Sequence, residues 1–208
     1  SQREMAAMNR LRAALGEHNF FGFRWIIEKF NDYDVLRFKE IGADRLAAEW
    51  ILRCGGAVRF DRYKDLLIDD YNSLVMKTAV IDPRVPAEQV YLTHAHAIKS
   101  CVTARGCRHF EGLTRLRDVR FSSCKNLEDE GLKTLAKTVG PQLLSAEVSS
   151  CRYITEDGIK ALGECSQLKS LVLADLVRVS QPKKLLDYLK ERLPEECEIF
   201  YDDVTTRM

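Results

Sequence analysis

Leu116-x-x-Val119-x-Phe121-x-x-Cys124 is followed by Leu143-x-x-Ala146-x-Val148-x-x-Cys151, and then by Leu168-x-x-Leu171-x-Leu173-x-x-Leu176. The residues around these blocks keep step with them. Cys124 to Cys151, Gly131 to Gly158 and Leu135 to Leu162 are each 27 residues apart, and Val148 to Leu173 is 25. Three copies of one pattern at a near-constant interval mean that one structural unit is built repeatedly.

A period in the twenties with L-x-x-L-x-L-x-x-C/L is the signature of leucine-rich repeats. Each unit then places a short strand on a concave face and a helix behind it, burying its apolar side only against its neighbours. The Cys ending followed by Ile154-Thr155-x-x-Gly158-Ile159 marks the cysteine-containing subtype. The predicted fold is therefore α/β, a short leucine-rich-repeat solenoid with an N-terminal helical cap. The cap is assigned to residues 1–88 and the repeat domain to 89–208.

Upstream, Val90-x-Leu92-x-x-Ala95 reads as the strand of a degenerate first repeat, with Leu92 set against Phe121, 29 residues on. Asp44 stands near the start of a helix carrying Leu46, Ala47, Trp50, Ile51 and Cys54, and Gly55-Gly56 ends it. Val58 and Phe60 predict a short strand after it. This segment would seal the exposed core edge that every solenoid has. Residues 3–15 predict a further helix, and Phe20, Phe21, Phe23, Trp25 and Phe30 an aromatic cluster belonging to core or to an interface. Residues 61–88 read as polar and irregular. Downstream, Pro182 and Pro194 bracket a predicted helix, and Cys197, Ile199 and Tyr201 a closing strand, with a loose tail from Asp202.

Of 208 residues, 46% are hydrophobic, enough for a sizeable core, and the formal charge of +1 gives no polyelectrolyte argument for nucleic acid. No apolar run approaches the roughly 18–20 residues of a membrane span. Seven cysteines is an odd count. Two of them occupy repeat-core positions, where a thiol serves as a small hydrophobe, so reduced thiols in a non-secretory compartment are expected. No secretory signal is expected either. Arg3, Arg10 and Arg12 lend the first residues a transit-peptide flavour that Glu4 and Glu17 oppose.

Phosphate-loop, dinucleotide, nucleophile-elbow and zincin motifs are absent from the sequence. His94, His96, Cys101, Cys107 and His109 form the one cluster that suggests a metal. Its spacings are not the tight pairs of zinc sites, so buried cysteines and surface histidines are the expected outcome. Partner contacts are expected on the concave strand positions: Tyr91 and Thr93, then Asp118, Arg120 and Ser122, then Ser145, Glu147 and Ser149, then Ser170, Val172 and Ala174. Arg120 and Glu147 should fall side by side on adjacent strands. Such a near-neutral face rich in small residues suits a protein partner. Phe21 and Trp25 are the alternative contacts.

The block Ile41-Gly42-x-Asp44-Arg45-x-Ala47-x-Glu49-Trp50-x-Leu52-Arg53-Cys54-Gly55-x-x-Val58-Arg59 resembles the N-terminal part of the mitochondrial ATP synthase subunit s (coupling factor B) family. Asp70-Tyr71-Asn72-x-Leu74, Ser100-Cys101, His109-x-Glu111-Gly112-Leu113 and the repeats from Ser150 to Leu176 extend the likeness over roughly residues 20–193. A sister group is the distal-membrane-arm assembly factor of respiratory complex I. The resemblance implies a non-enzymatic protein on the matrix side of the mitochondrial inner membrane, peripheral to it, bound to subunits of ATP synthase or complex I. It also implies a Mg²⁺ held by backbone atoms, which map here to Gly55 and Ile98. The family's functional dithiol is a Cys-x-Cys pair. Ser122-Ser123-Cys124 stands in its place, leaving Cys54, Cys101 and Cys124 as the candidate thiols. Cysteine-type repeats also occur in substrate receptors of ubiquitin ligases, but residues 20–60 lack the Leu-Pro and spaced leucines of an adaptor-binding box.

Overall fold

A computed structural model describes residues 24–78 and 89–202. In each repeat the apolar residues alternate with polar ones, the period of a strand buried on one face. Val119 and Phe121, Ala146 and Val148, and Leu171 and Leu173 are buried, as the pattern requires. They give strands β3 (Asp118–Ser122), β4 (Ser145–Ser149) and β5 (Ser170–Ala174). Before them come β1 (Ala57–Phe60) and β2 (Leu92–Ile98), and after them β6 (Glu198–Asp202). The six form one sheet in chain order, parallel from β2 to β6, with β1 antiparallel at the edge. The closing strand predicted around Ile199 and Tyr201 is β6.

The register corrects one expectation. Ala97, not Leu92, lies opposite Phe121, and Ala95 lies opposite Val119. The first unit is thus Leu92-x-x-Ala95-x-Ala97-x-x-Ser100, 24 residues before its successor. Alanine and serine here take the places that valine, phenylalanine and cysteine take in the next unit.

Strands β2 to β5 end in the same turn. Lys99, Ser123, Ser150 and Asp175 adopt positive φ, between 48° and 56°. Their amides donate to the carbonyls of Ser122, Ser149, Ala174 and Asp202 on the next strand, at 2.8–3.2 Å. Beyond the turn the chain buries Cys124, Cys151 or Leu176 and enters a helix. These helices are α4 (Asp129–Val139), α5 (Glu156–Ala161) and α6 (Pro182–Arg192). Their apolar sides, including Leu132, Leu135, Ile159 and Leu185, complete the core.

At the amino-terminal end stand α1 (Arg24–Phe30), α2 (Val35–Arg53) and α3 (Tyr71–Thr78). Asp34 caps α2, its carboxylate accepting from the amides of Leu36 and Arg37 at 2.9 and 3.0 Å. The element breaks at Gly42 (φ 78°, ψ 171°), a conformation that L side chains rarely adopt, so a first helical segment precedes the break and Asp44 stands near the start of the second, as expected. Trp50 lies at 0% exposure in the core, stacked on His109 with centroids 4.9 Å apart. Asn31 ties this end together. Its side chain donates to the carbonyls of Ile27 and Cys101 and accepts from Trp50 Nε1 and the Thr103 amide.

Two more expectations change. Residues 61–78 are not irregular: Ile68 bridges to Val58 and is buried, and α3 follows. Of the aromatic cluster, Trp25 is 68% exposed on α1, while Ile27 on the same helix turns inward. The segment 3–15, Phe20, Phe21 and Phe23, the prolines at 83 and 86, and the tail beyond Asp202 lie outside the described residues.

Candidate interaction face

Because one side of each strand is buried, the other lines up in rows across the sheet. Arg59, His94, Asp118, Ser145, Ser170 and Glu198 form the first row, and Ala57, His96, Arg120, Glu147, Val172 and Phe200 the second. Ile98, Ser122, Ser149, Ala174 and Asp202 make the third. The residues expected on β3 to β5 stand where repeat logic put them. Tyr91 does not. It precedes β2 at the rim, under the Arg115 guanidinium at 3.9 Å from the ring centroid, with Arg115 also paired to Asp61. His94 and His96 take the β2 places, as the corrected register demands.

The amino-terminal half of the face is a charge network. Asp118 Oδ1 lies 2.7 Å from His96 Nε2 and 3.2 Å from Arg120 Nε. Burial works against its charge, but the hydrogen bonds from His96 and Arg120 outweigh it and hold the carboxyl at about 2. For His94, burial and the positive surroundings of Arg59, His96 and Arg120 outweigh the pull of Asp118 and keep the imidazole neutral to lower pH than usual. Arg120 and Glu147 do lie side by side in register. Instead of pairing with each other, Arg120 turns to Asp118, while Glu147 Oε1 accepts from Ser149 Oγ at 3.0 Å. Ser149 Oγ is also 2.9 Å from Ser122 Oγ. At β6 Phe200 is 59% exposed beside the half-buried Val172, an apolar spot between Glu198 and Asp202.

Gly55 and Ile98, the two residues to which the resemblance maps a cation, line one cavity of about 300 Å³ with Gly56, Ala57, Asp69, His96 and Lys99. Gly55 has φ 90° and open space beside its Cα. Backbone oxygens and a carboxylate such as that of the exposed Asp69 are the hard donors that Mg²⁺ prefers, while Lys99 in the same lining opposes a cation. The His/Cys cluster considered for zinc is dispersed. His109 is buried with Nδ1 bonded to the Gly106 carbonyl, Cys107 bonds the Thr103 carbonyl, and His96 serves Asp118. Among the described residues no group of three His, Cys, Asp or Glu side chains is placed to hold a metal.

The candidate thiols are buried and unpaired by disulfides. Cys54 Sγ lies 3.8 Å from the Phe30 carbonyl and 3.7 Å from Asn31 Oδ1, and Cys124 donates to the Ala97 carbonyl at 3.0 Å. Burial pushes the thiols of Cys54 and Cys124 well above their ordinary range.

The fold and this face define an α/β protein on a single repeat-built sheet, with helices behind it and a mixed polar and apolar face in front. Among the described residues no helix is long and apolar enough to cross a membrane. No protein-family model matches the chain. It is similar to the mitochondrial ATP synthase subunit s of Homo sapiens, 32% identical over 197 residues that cover 92% of each chain. The Bos taurus protein of that name is likewise 32% identical over 197 residues, and the Mus musculus one 29% over 194, again at 92% of each chain. The chain belongs to the ATP synthase subunit s family.

Proposed function

We propose that this chain is a non-catalytic accessory subunit that docks, through its sheet face, on an energy-transducing complex of the mitochondrial inner membrane. ATP synthase is the first partner, and complex I or its assembly intermediates the second. The observation that carries this reading is the face itself: three continuous rows of side chains, with charge at one end and Phe200 at the other, outside the core that the repeats bury. Family membership supplies the complex and the compartment. The reading takes the array as a cysteine-type leucine-rich-repeat solenoid, with 1–88 as cap and 89–208 as repeat domain, acting from the matrix side and peripheral to the membrane. Asp118, Arg120 and Glu147 would meet the partner, with Tyr91 at the rim; Trp25, exposed on α1, is the alternative contact.

Native-gel profiling of mitochondria carrying the tagged chain tests this. Migration with ATP synthase is the expected result, and Phe200→Asp, at an exposed position, should weaken it without lowering thermal stability. Migration with complex I would move the role to that complex. Recovery of the free chain alone would end the docking reading, and capture of a ubiquitin-ligase adaptor would favour the substrate-receptor alternative.

The same reading includes a Mg²⁺ held by the backbone at Gly55 and Ile98. It would brace the β1 edge of the face, where Cys54 and Cys101 are packed. Mn²⁺ added to the ¹⁵N-labelled chain should broaden the Gly55 and Ile98 amide signals before any others. Uniform broadening would remove the site.

A further inference from the structure

We infer that the amino-terminal half of the sheet face is built to take one carboxylate side chain from an acidic segment of the protein partner. This rests on the face being the docking surface. Arg59 carries the inference. Val58 and Phe60 on either side of it are fully buried, so Arg59 projects to the outer face. There it lies in one row with His94 and Asp118.

Its Nε is buried and has no hydrogen-bond partner. The carboxylate in its row, Asp118, is already taken by His96 and Arg120. Two guanidinium groups therefore share a patch in which one acid is committed, and His94 is held neutral between them. With Nε shielded and no carboxylate bonded to it, the guanidinium keeps its terminal N–H groups for an incoming oxyanion, and a charge-assisted bond there is stronger than a neutral one.

The rest of the face narrows the occupant. Asp118, Glu147, Glu198 and Asp202 stand on β3, β4 and β6, so a polyanion such as nucleic acid would meet repeated negative charge along the sheet. A single acid is not repelled. Phe200 stands on β6, five strands from Arg59 on β1, which at about 4.8 Å per strand is about 24 Å. An extended segment crossing the sheet would cover that distance in about seven residues. The partner segment accordingly carries an acidic residue followed, about seven positions on, by a large apolar one.

The probe is a capped octapeptide with glutamate first, leucine last and small residues between. It is titrated into the ¹⁵N-labelled full chain while the arginine Nε and backbone amide signals are followed. Saturable shifts confined to Arg59, His94, Arg120 and the β5–β6 end are expected. Replacing the glutamate by glutamine should weaken binding by about tenfold or more, the worth of one charged hydrogen bond. Arg59→Gln should do the same with its melting temperature unchanged. If that variant does not fold, Arg120→Gln, at an exposed position, reads the second cation.

Equal binding of the two peptides, shifts elsewhere, undiminished binding by the folded arginine variants, or tighter binding of inorganic phosphate than of the peptide would each overturn the assignment. The titration uses the isolated chain, so carboxylate recognition can stand where co-migration with ATP synthase fails, and the reverse.

Discussion

Gly106 shows how little freedom single residues have where the cap meets the sheet. A Cβ at this position would run into the Asn31 carboxamide and the Trp50 indole, both fully buried and bonded to each other at 3.0 Å. Overpacking of this kind costs about 1–3 kcal/mol. Gly106→Ala is therefore expected to lower stability by that amount in urea unfolding, whereas Gly55→Ala, with open space beside it, would act only through its positive φ. Thiol chemistry is constrained in the same way. Six cysteines are buried and Cys197 alone is partly exposed; burial raises Cys107 and Cys165 to about 12. A thiol reagent added to the native chain should modify one cysteine quickly and the other six only on unfolding. Rapid loss of two or more native thiols would contradict this packing.

Consecutive helices are stapled by a repeated acid. Asp129, in the first turn of α4, accepts from the amide and hydroxyl of Thr155 at 2.8 and 2.7 Å, just before α5. Glu156, 27 residues on, accepts from the Ser180 amide and hydroxyl and the Gln181 amide just before α6. Each acid also lies at the positive end of its own helix dipole. Asp129→Ala should cost about 1–3 kcal/mol, since it strips the Thr155 groups of their partner, and Glu156→Ala less, because its site is exposed. Calorimetry of the two variants would rank them. This element scale is also where the sequence was most and least legible. Strands β3 to β5 announce themselves because leucine, valine and phenylalanine mark every inward position. In β2, Ala95 and Ala97 carry too little apolar signal to set the register, so the repeat pattern alone pairs Leu92 with the wrong partner and gives the face places of His94 and His96 to Tyr91 and Thr93. Arg59 was hidden for another reason: β1 joins the sheet antiparallel, which no repeat period can reveal. The polar, short α3 had no periodicity to show.

Over the whole molecule, stability against pH is a contest between two buried groups in the cap region. Burial lowers His109 from 6.5 to about 4, and the charges of Arg53 and Arg108 add to that against the Gly106 carbonyl bond. Its contribution is present above pH 6.5 and is lost as pH falls through about 4. Asp44 runs the other way. Burial raises it from 3.8 to about 6 despite the Leu92 amide that it accepts from, so its contribution is present below pH 3.8 and is lost as pH rises through about 6. The two slopes oppose one another between about pH 4 and 6, where the melting temperature of the chain should change little. Asp44→Asn removes one of them. That variant should be more stable than the parent at pH 7 and should lose stability steeply on acidification below pH 6.5; an unchanged profile would show that Asp44 is not desolvated as described.

The left-handed turn closing strands β2 to β5 has a consequence for how such a chain can change length. Lys99, Ser123, Ser150 and Asp175 all hand their amide to the following strand, and only to that strand, so the instruction each unit carries concerns its successor alone. A duplicated segment would find its bonding partner wherever it was inserted within the array. Behind β2 this rule has no purchase, because β1 runs the opposite way and offers no matching turn. Growth by duplication is thereby given a direction: the gene can lengthen this sheet from its interior or its carboxyl end, while the edge bearing Arg59 stays as it was.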